Sequence, residues 1–96
     1  MTLSDETVAA YQNRGWVVLP DVFSAAELTV LQTAALQVLE RPGPEVGREA
    51  DGSPHVCWGM HLFDERLGAL VRHPKLVAAS QQLLDNDFFV HQSRIN

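Results

Sequence analysis

Asp85-Asn86-Asp87-Phe88-Phe89-Val90-His91-Gln92-Ser93-Arg94-Ile95-Asn96 is the stretch on which the reading of the fold turns. An Asp/Asn turn signal leads into a run rich in aromatic and β-branched residues, which predicts a strand over 88–96. Side chains alternate along a strand, so Phe89, His91, Ser93 and Ile95 face one side. Phe88, Val90, Gln92, Arg94 and Asn96 face the other. That second set ends in three polar side chains in succession. Buried polar groups need partners, so this face is either wet or the wall of a site.

Upstream of this strand the chain reads mostly as helix. His73-Pro74 separates two helical stretches, one from Asp64 to about Arg72 and one running to about Leu84. Asp64 is the expected N-cap of the first, with Leu67 and Leu70 or Val71 inward. Leu76, Val77, Ser80, Leu83 and Leu84 form the inward side of the second. Before them, Val56-Cys57-Trp58 within 55–60 favours a short strand, interrupted at Gly59. The segment 41–54 is rich in Pro, Gly and charge and has no periodicity; it predicts a long loop with room for a short strand or turn. The strongest local signal is Ser24-Ala25-Ala26-Glu27, a capping box with Phe23 and Leu28 placed for a hydrophobic staple. It opens an amphipathic helix over about 25–40, with Leu28, Leu31, Ala35 and Val38 or Leu39 inward. At the start, Thr2 or Ser4 caps a first helix that Gly15 ends, and 16–20 (Trp-Val-Val-Leu-Pro) predicts a short strand.

With 96 residues and a formal net charge of −5, the chain is one small domain or part of a larger one. Its acidity argues against nucleic-acid binding and against a polybasic membrane surface. The single cysteine, Cys57, excludes an internal disulfide framework. No apolar run reaches transmembrane length and no secretory signal is visible, so a cytoplasmic location is expected.

Few residues carry an obvious chemistry. His61 and Asp64 share a His-x-x-Asp spacing, and with His55 they define a remote metal module; capping better explains Asp64. His73 is read as a helix-end histidine, favourable to the dipole when charged. Cys57 reads as a buried, inert thiol, and Trp16 and Trp58 as core or partly buried aromatics. No nucleotide-binding, nucleophile-elbow or paired-cysteine zinc motif occurs. The polar face of the terminal strand is therefore the best candidate. Gln92 and Asn96 each offer a donor and an acceptor, and Arg94 suits a carboxylate.

Three stretches together resemble the phytanoyl-CoA dioxygenase family of non-haem iron, 2-oxoglutarate-dependent oxygenases. They are Tyr11-Gln12-Asn13-Arg14-Gly15-Trp16-Val17-Val18-Leu19-Pro20-Asp21-Val22-Phe23-Ser24 with the capped helix after it, Leu70-Val71-Arg72-His73-Pro74-Lys75-Leu76, and Val90-His91-Gln92-Ser93-Arg94-Ile95-Asn96. The last is similar to the strand preceding the iron site in the ectoine hydroxylase and free-proline hydroxylase branch. The resemblance implies an α+β fold, with helices packed on the first strands of a double-stranded β-helix (jelly-roll) whose barrel is incomplete in this chain. It implies residues 1–96 as a single N-terminal segment of such a domain, with the 41–54 loop inside it. It further implies Fe(II) and 2-oxoglutarate in the full-length enzyme, Gln92 as a substrate contact, Asn96 beside the cosubstrate, Arg94 as a further pocket candidate, and a small amino acid or compatible solute as substrate. The family's iron ligands are His-x-Asp with a distant second His. No His-x-Asp occurs among these residues, so no metal ligand or catalytic residue is assigned and the 96 residues alone are expected to be inactive. Hydroxylase and halogenase chemistry both stay open. The alternative is a non-catalytic fragment or interaction domain that pairs with a partner, or with itself, through the unpaired edge of its terminal strand.

Overall fold

Ser4 opens helix α1 (Asp5–Arg14) by accepting a hydrogen bond from the Thr7 amide at 3.1 Å. Gly15, at φ 84, ends it in the left-handed region that glycine enters without a Cβ penalty. In this computed structural model, which describes residues 2–96, the chain continues through α2 (Ala25–Val38), β1 (Val46–Arg48) and β2 (Pro54–Trp58). A 3-10 turn (Met60–Leu62), α3 (Glu65–Val71), α4 (Pro74–Leu84) and β3 (Arg94–Ile95) complete it. The described residues thus form an α+β arrangement of four α-helices and one three-stranded antiparallel sheet, ordered β1-β2-β3. None of the helices is long and apolar enough to cross a membrane.

Two compact units emerge. One contains the residues up to Val22 together with Arg72–Phe89, and the other Phe23–Val71 with Val90–Asn96. In the first, α1 packs on α4, whose Ala79 is buried. The Gln82 side chain brackets the backbone of Leu3, accepting from its amide at 2.8 Å and donating to its carbonyl at 2.9 Å. Leu3 is thereby held and buried. Lys75 Nζ donates to the Val22 carbonyl at 2.9 Å.

His73 is the N-cap of α4: its Nδ1 accepts from the Lys75 amide at 3.2 Å. This corrects the expectation of a charged histidine at a helix C-terminus. At the positive end of a helix an unprotonated ring nitrogen is the useful form, because it accepts from an orphan amide.

In the second unit the capping box forms as its spacing predicts. Ser24 Oγ accepts from the Glu27 amide at 3.1 Å, and Glu27 Oε1 accepts from the Ser24 amide at 2.9 Å. The inward face of α2 is the expected one at Leu31, Val38 and Leu39, and differs at Leu28 and Ala34. Ala34 and Val38 are buried and Leu31 and Leu39 pack against the core, while Leu28 is exposed. Ala34, Val38, Val46, Cys57, Met60 and Leu67 form the core, with Leu31, Leu39, Leu70 and Ile95 packed against it.

The 41–54 segment contains β1, which forms a hairpin with β2. Its turn is closed by Gly52 N–H to Glu49 O at 2.9 Å and Glu49 N–H to Ser53 O at 2.8 Å. Pro54 is the first residue of β2, where a missing amide is tolerated.

Two expected strands are cut back. Residues 16–19 run without ladder pairing, with Trp16 and Val18 exposed, and the chain then turns through Asp21 at φ 54. An apolar run makes a strand only where a neighbour offers its backbone groups. Of 88–96, only Arg94–Ile95 is a strand, paired with Trp58 and Cys57. The reason lies in β2: Gly59, at φ 69, bends it into the 3-10 turn, so no β2 residue remains to pair with anything before Ser93. The two tryptophans, expected as core or partly buried aromatics, are more open than that, Trp16 at 56% and Trp58 at 46% exposure. Each rests instead on a local surface contact. The Arg14 guanidinium lies 4.3 Å from the Trp16 ring centroid, and the Trp58 ring lies over Gly47.

Candidate functional site: the outer row of the sheet

Register sorts the sheet residues into two rows, because directly paired residues share a face. Val46 pairs with Cys57 and Cys57 with Ile95, and all three belong to the helix-packed core. Gly47 pairs with Val56, and Trp58 with Arg94, on the opposite face, the one turned away from α2 and α3. Gly47 is required there: a Cβ at that position would lie 2.6 Å from Val56 Cγ1 and 3.0 Å from the Trp58 ring.

Alternation places Gln92 and Asn96 with Arg94 on this outer face, and Ser93 and Ile95 on the inner one. Over 93–96 the accessibility follows the same rhythm, with Arg94 and Asn96 exposed and Ser93 and Ile95 partly covered, whereas His91 and Gln92 are both exposed. Arg94 Nε donates to Asn96 Oδ1 at 2.7 Å, which draws those two side chains together. The guanidinium keeps its Nη donors, and Asn96 its amide hydrogens, directed away from that bond. Gln92 shares the face but is not bonded to either of them. The arrangement presents one positive group and two amides, a donor set suited to a carboxylate-bearing small molecule. It suits 2-oxoglutarate or an amino acid in that respect.

His55, His61 and Asp64 are committed elsewhere. Asp64 Oδ1 accepts from the Arg66 and Leu67 amides at 2.9 and 3.1 Å, and Oδ2 takes Arg66 Nη2 at 2.9 Å. The Arg66 guanidinium, helped by the Leu67 and Arg66 amides, holds the Asp64 carboxyl below the usual carboxylate range despite partial burial. His61 Nδ1 pairs with Ser93 Oγ, and His55 lies 3.6 Å from Glu49 on the surface. Among the described residues no group of three or more His, Cys, Asp or Glu side chains is placed to hold a metal ion. The residues present therefore do not fit an iron site. Burial pushes the Cys57 thiol up, with Glu45 adding and Arg41 opposing, so it is poorly suited to nucleophilic work.

Two neighbours of the candidate row were not singled out from sequence. Trp58 stands directly across from Arg94, which only the register reveals. The Ser93–His61 pair joins residues 32 apart in the chain. Its signal was present in the alternation: a serine on the inner side of a strand needs a partner.

Comparison with known proteins gives a consistent set of relatives, although no family model matches. An ectoine dioxygenase of Bordetella bronchiseptica is 31% identical over 99 residues, covering 98% of this chain and 32% of that protein. An L-proline trans-4-hydroxylase of Streptomyces griseoviridis is 33% identical over 87 residues, covering 90% of this chain and 32% of the relative. An ectoine dioxygenase of Sphingopyxis alaskensis is 28% identical with the same 98% and 32% coverage. The chain spans about a third of the length of the curated relatives it matches. The resemblance to the ectoine hydroxylase and free-proline hydroxylase branch is borne out: along nearly all of its residues the chain is homologous to part of the ectoine dioxygenases and of a proline hydroxylase.

Proposed function

We propose that this chain is the N-terminal segment of a phytanoyl-CoA dioxygenase-like hydroxylase acting on a small free amino acid or compatible solute, of the L-proline or ectoine kind. The observation that supports the reading best is the position of Arg94 on the sheet face opposite the helix-packed row, with Gln92 and Asn96 two residues to either side of it. In a jelly-roll built outward from this sheet, helices cover one face and the other lines the barrel interior. Gln92 then orients the substrate and Asn96, steadied by Arg94, supports the cosubstrate carboxylate. Fe(II) and 2-oxoglutarate supply oxygen activation for C–H hydroxylation when bound. The iron ligands come from residues outside those described, and the protein is cytoplasmic.

The test is incubation of the protein that carries this chain with Fe(II), 2-oxoglutarate and either L-proline or ectoine, with mass-spectrometric detection of a hydroxylated product. Absence of product from both substrates sinks the reading. Gln92→Ala raises KM about tenfold and leaves kcat within about twofold, as loss of a ground-state contact should.

A second reading is that the exposed edge of β3 pairs with another strand, of a partner or of a second copy. Exposure of Val90, Arg94 and Asn96 beside that edge favours it. Size-exclusion chromatography with light scattering over a concentration series checks self-association.

A further inference from the structure

We infer that His61 and Ser93 form a positioning pair that fixes the direction of the Gln92, Arg94 and Asn96 row; its consequence for catalysis rests on the hydroxylase reading above. The strand carrying that row has a thin backbone hold. Two residues, Arg94 and Ile95, pair with β2, and one further bond runs from Gly59 N–H to Ser93 O at 2.9 Å. Immediately upstream, residues 90–92 have no strand pairing and are exposed.

Ser93 supplies the missing restraint through its side chain. Its Oγ pairs with His61 Nδ1, and the His61 amide approaches the same oxygen at 3.5 Å. His61 is itself well anchored. It is the central residue of the 3-10 turn that follows Gly59, whose left-handed backbone ends β2, and its immediate neighbour Met60 is buried in the core.

Ser93 lies between Gln92 and Arg94. Holding its side chain to the inner side turns both neighbours to the outer side, because successive residues of an extended chain point opposite ways. A rotation about the strand axis at Ser93 would misdirect the whole row, and the His61 contact opposes that rotation. Neither residue faces the outer row, so the pair acts through the strand.

Four variants in the protein that carries this chain separate positioning from general packing. Ser93→Ala and His61→Leu remove the bond. Ser93→Thr keeps the hydroxyl, and His61→Asn keeps a hydrogen-bonding atom near the place of Nδ1. Leu67→Ala serves as a destabilised control. Ser93→Ala and His61→Leu are expected to raise KM for L-proline or ectoine about three- to tenfold, the factor one hydrogen bond is worth, with kcat nearly constant. Ser93→Thr, His61→Asn and Leu67→Ala keep the parent KM. Amide exchange at Gly59, whose partner is Ser93 O, accelerates by a similar factor in the two bond-removing variants and not in the two conservative ones. Parent-like KM in Ser93→Ala and His61→Leu overturns the pair, as does a KM in Leu67→Ala raised equally. If the parent turns over neither substrate, the hydroxylase reading falls, and Gly59 exchange decides the pair alone: unchanged exchange overturns it, accelerated exchange upholds it.

Discussion

On the helix side of the sheet, Val46, Cys57 and Ile95 stand in register, and the first two are buried beneath α2 and α3. On the other side, Val56 alone is fully buried; Trp58 is nearly half exposed and Arg94, Gln92 and Asn96 are exposed. One strand thus serves both a core and an open polar surface through its alternation. The difference teaches where selection for packing ends and where room for chemistry begins. Inner positions tolerate only apolar groups or a serine with a partner, whereas outer positions hold amides and a guanidinium that water satisfies at no cost.

The inner row should break hardest. Leu67→Ala leaves a void beneath α3 and is expected to destabilise by about 3 kcal/mol, read from urea unfolding. A loss below about 1 kcal/mol would show that α3 does not seal that row.

Gly47→Ala probes the outer row by overfilling it. The added methyl meets Val56 Cγ1 at 2.6 Å and the Trp58 ring at 3.0 Å, so one of them must move. The expected cost is about 2 kcal/mol. Because Trp58 is partly exposed, its fluorescence should report the displacement directly.

A smaller effect separates the rows by pH. Asp64 caps α3, which covers the inner row, and its carboxyl lies below the ordinary range chiefly because of the Arg66 guanidinium. A depressed folded value gives stability that is present above the unfolded pKa of about 3.9 and lost as pH falls through the lower folded one. Asp64→Asn keeps a capping oxygen but discards the ion pair, at a cost of about 0.5 kcal/mol near neutrality. That difference from the parent should hold down to about pH 5 and then vanish in more acidic solution. A gap that persists at pH 2 would mean the carboxylate charge is not what matters.

How much of this was legible in the sequence depends on whether the governing interaction was local. The Ser24–Glu27 box, the Gly15 stop, the Asp64 cap and the break at Pro74 all follow from contacts within a few residues, and each appears where its spacing put it. Strand extent was not legible. It depends on a partner distant in the chain, and the bend at Gly59 withholds that partner from residues before Ser93. The same limit hid the facing of Trp58 and Arg94, which a register decides. His73 was misread for a related reason: between two helices it belongs equally to the end of one and the start of the next, and the accepting ring nitrogen settles which. For the candidate row, alternation groups Gln92, Arg94 and Asn96, and register fixes the face of Arg94. Alternation could not say which side the helices would take.

Arg94→Ala carries the smallest expected effect on stability and the sharpest meaning. If the polar residues of the outer row exist to satisfy the fold, removing the guanidinium should cost 1 kcal/mol or more, since Asn96 loses its partner and Trp58 its neighbour across the sheet. If they form a pocket wall, the change should fall within about 0.5 kcal/mol, as for exposed positions generally. A small stability change is expected, because Arg94 and Asn96 are both open to water and the bond between them is local. Urea unfolding of the variant measures the first quantity. Titration of the protein that carries this chain with 2-oxoglutarate measures the second, where loss of a charge-assisted contact should weaken binding tenfold or more. A stable variant with weakened binding assigns the row to a site, and a destabilised variant with unchanged binding returns it to the fold.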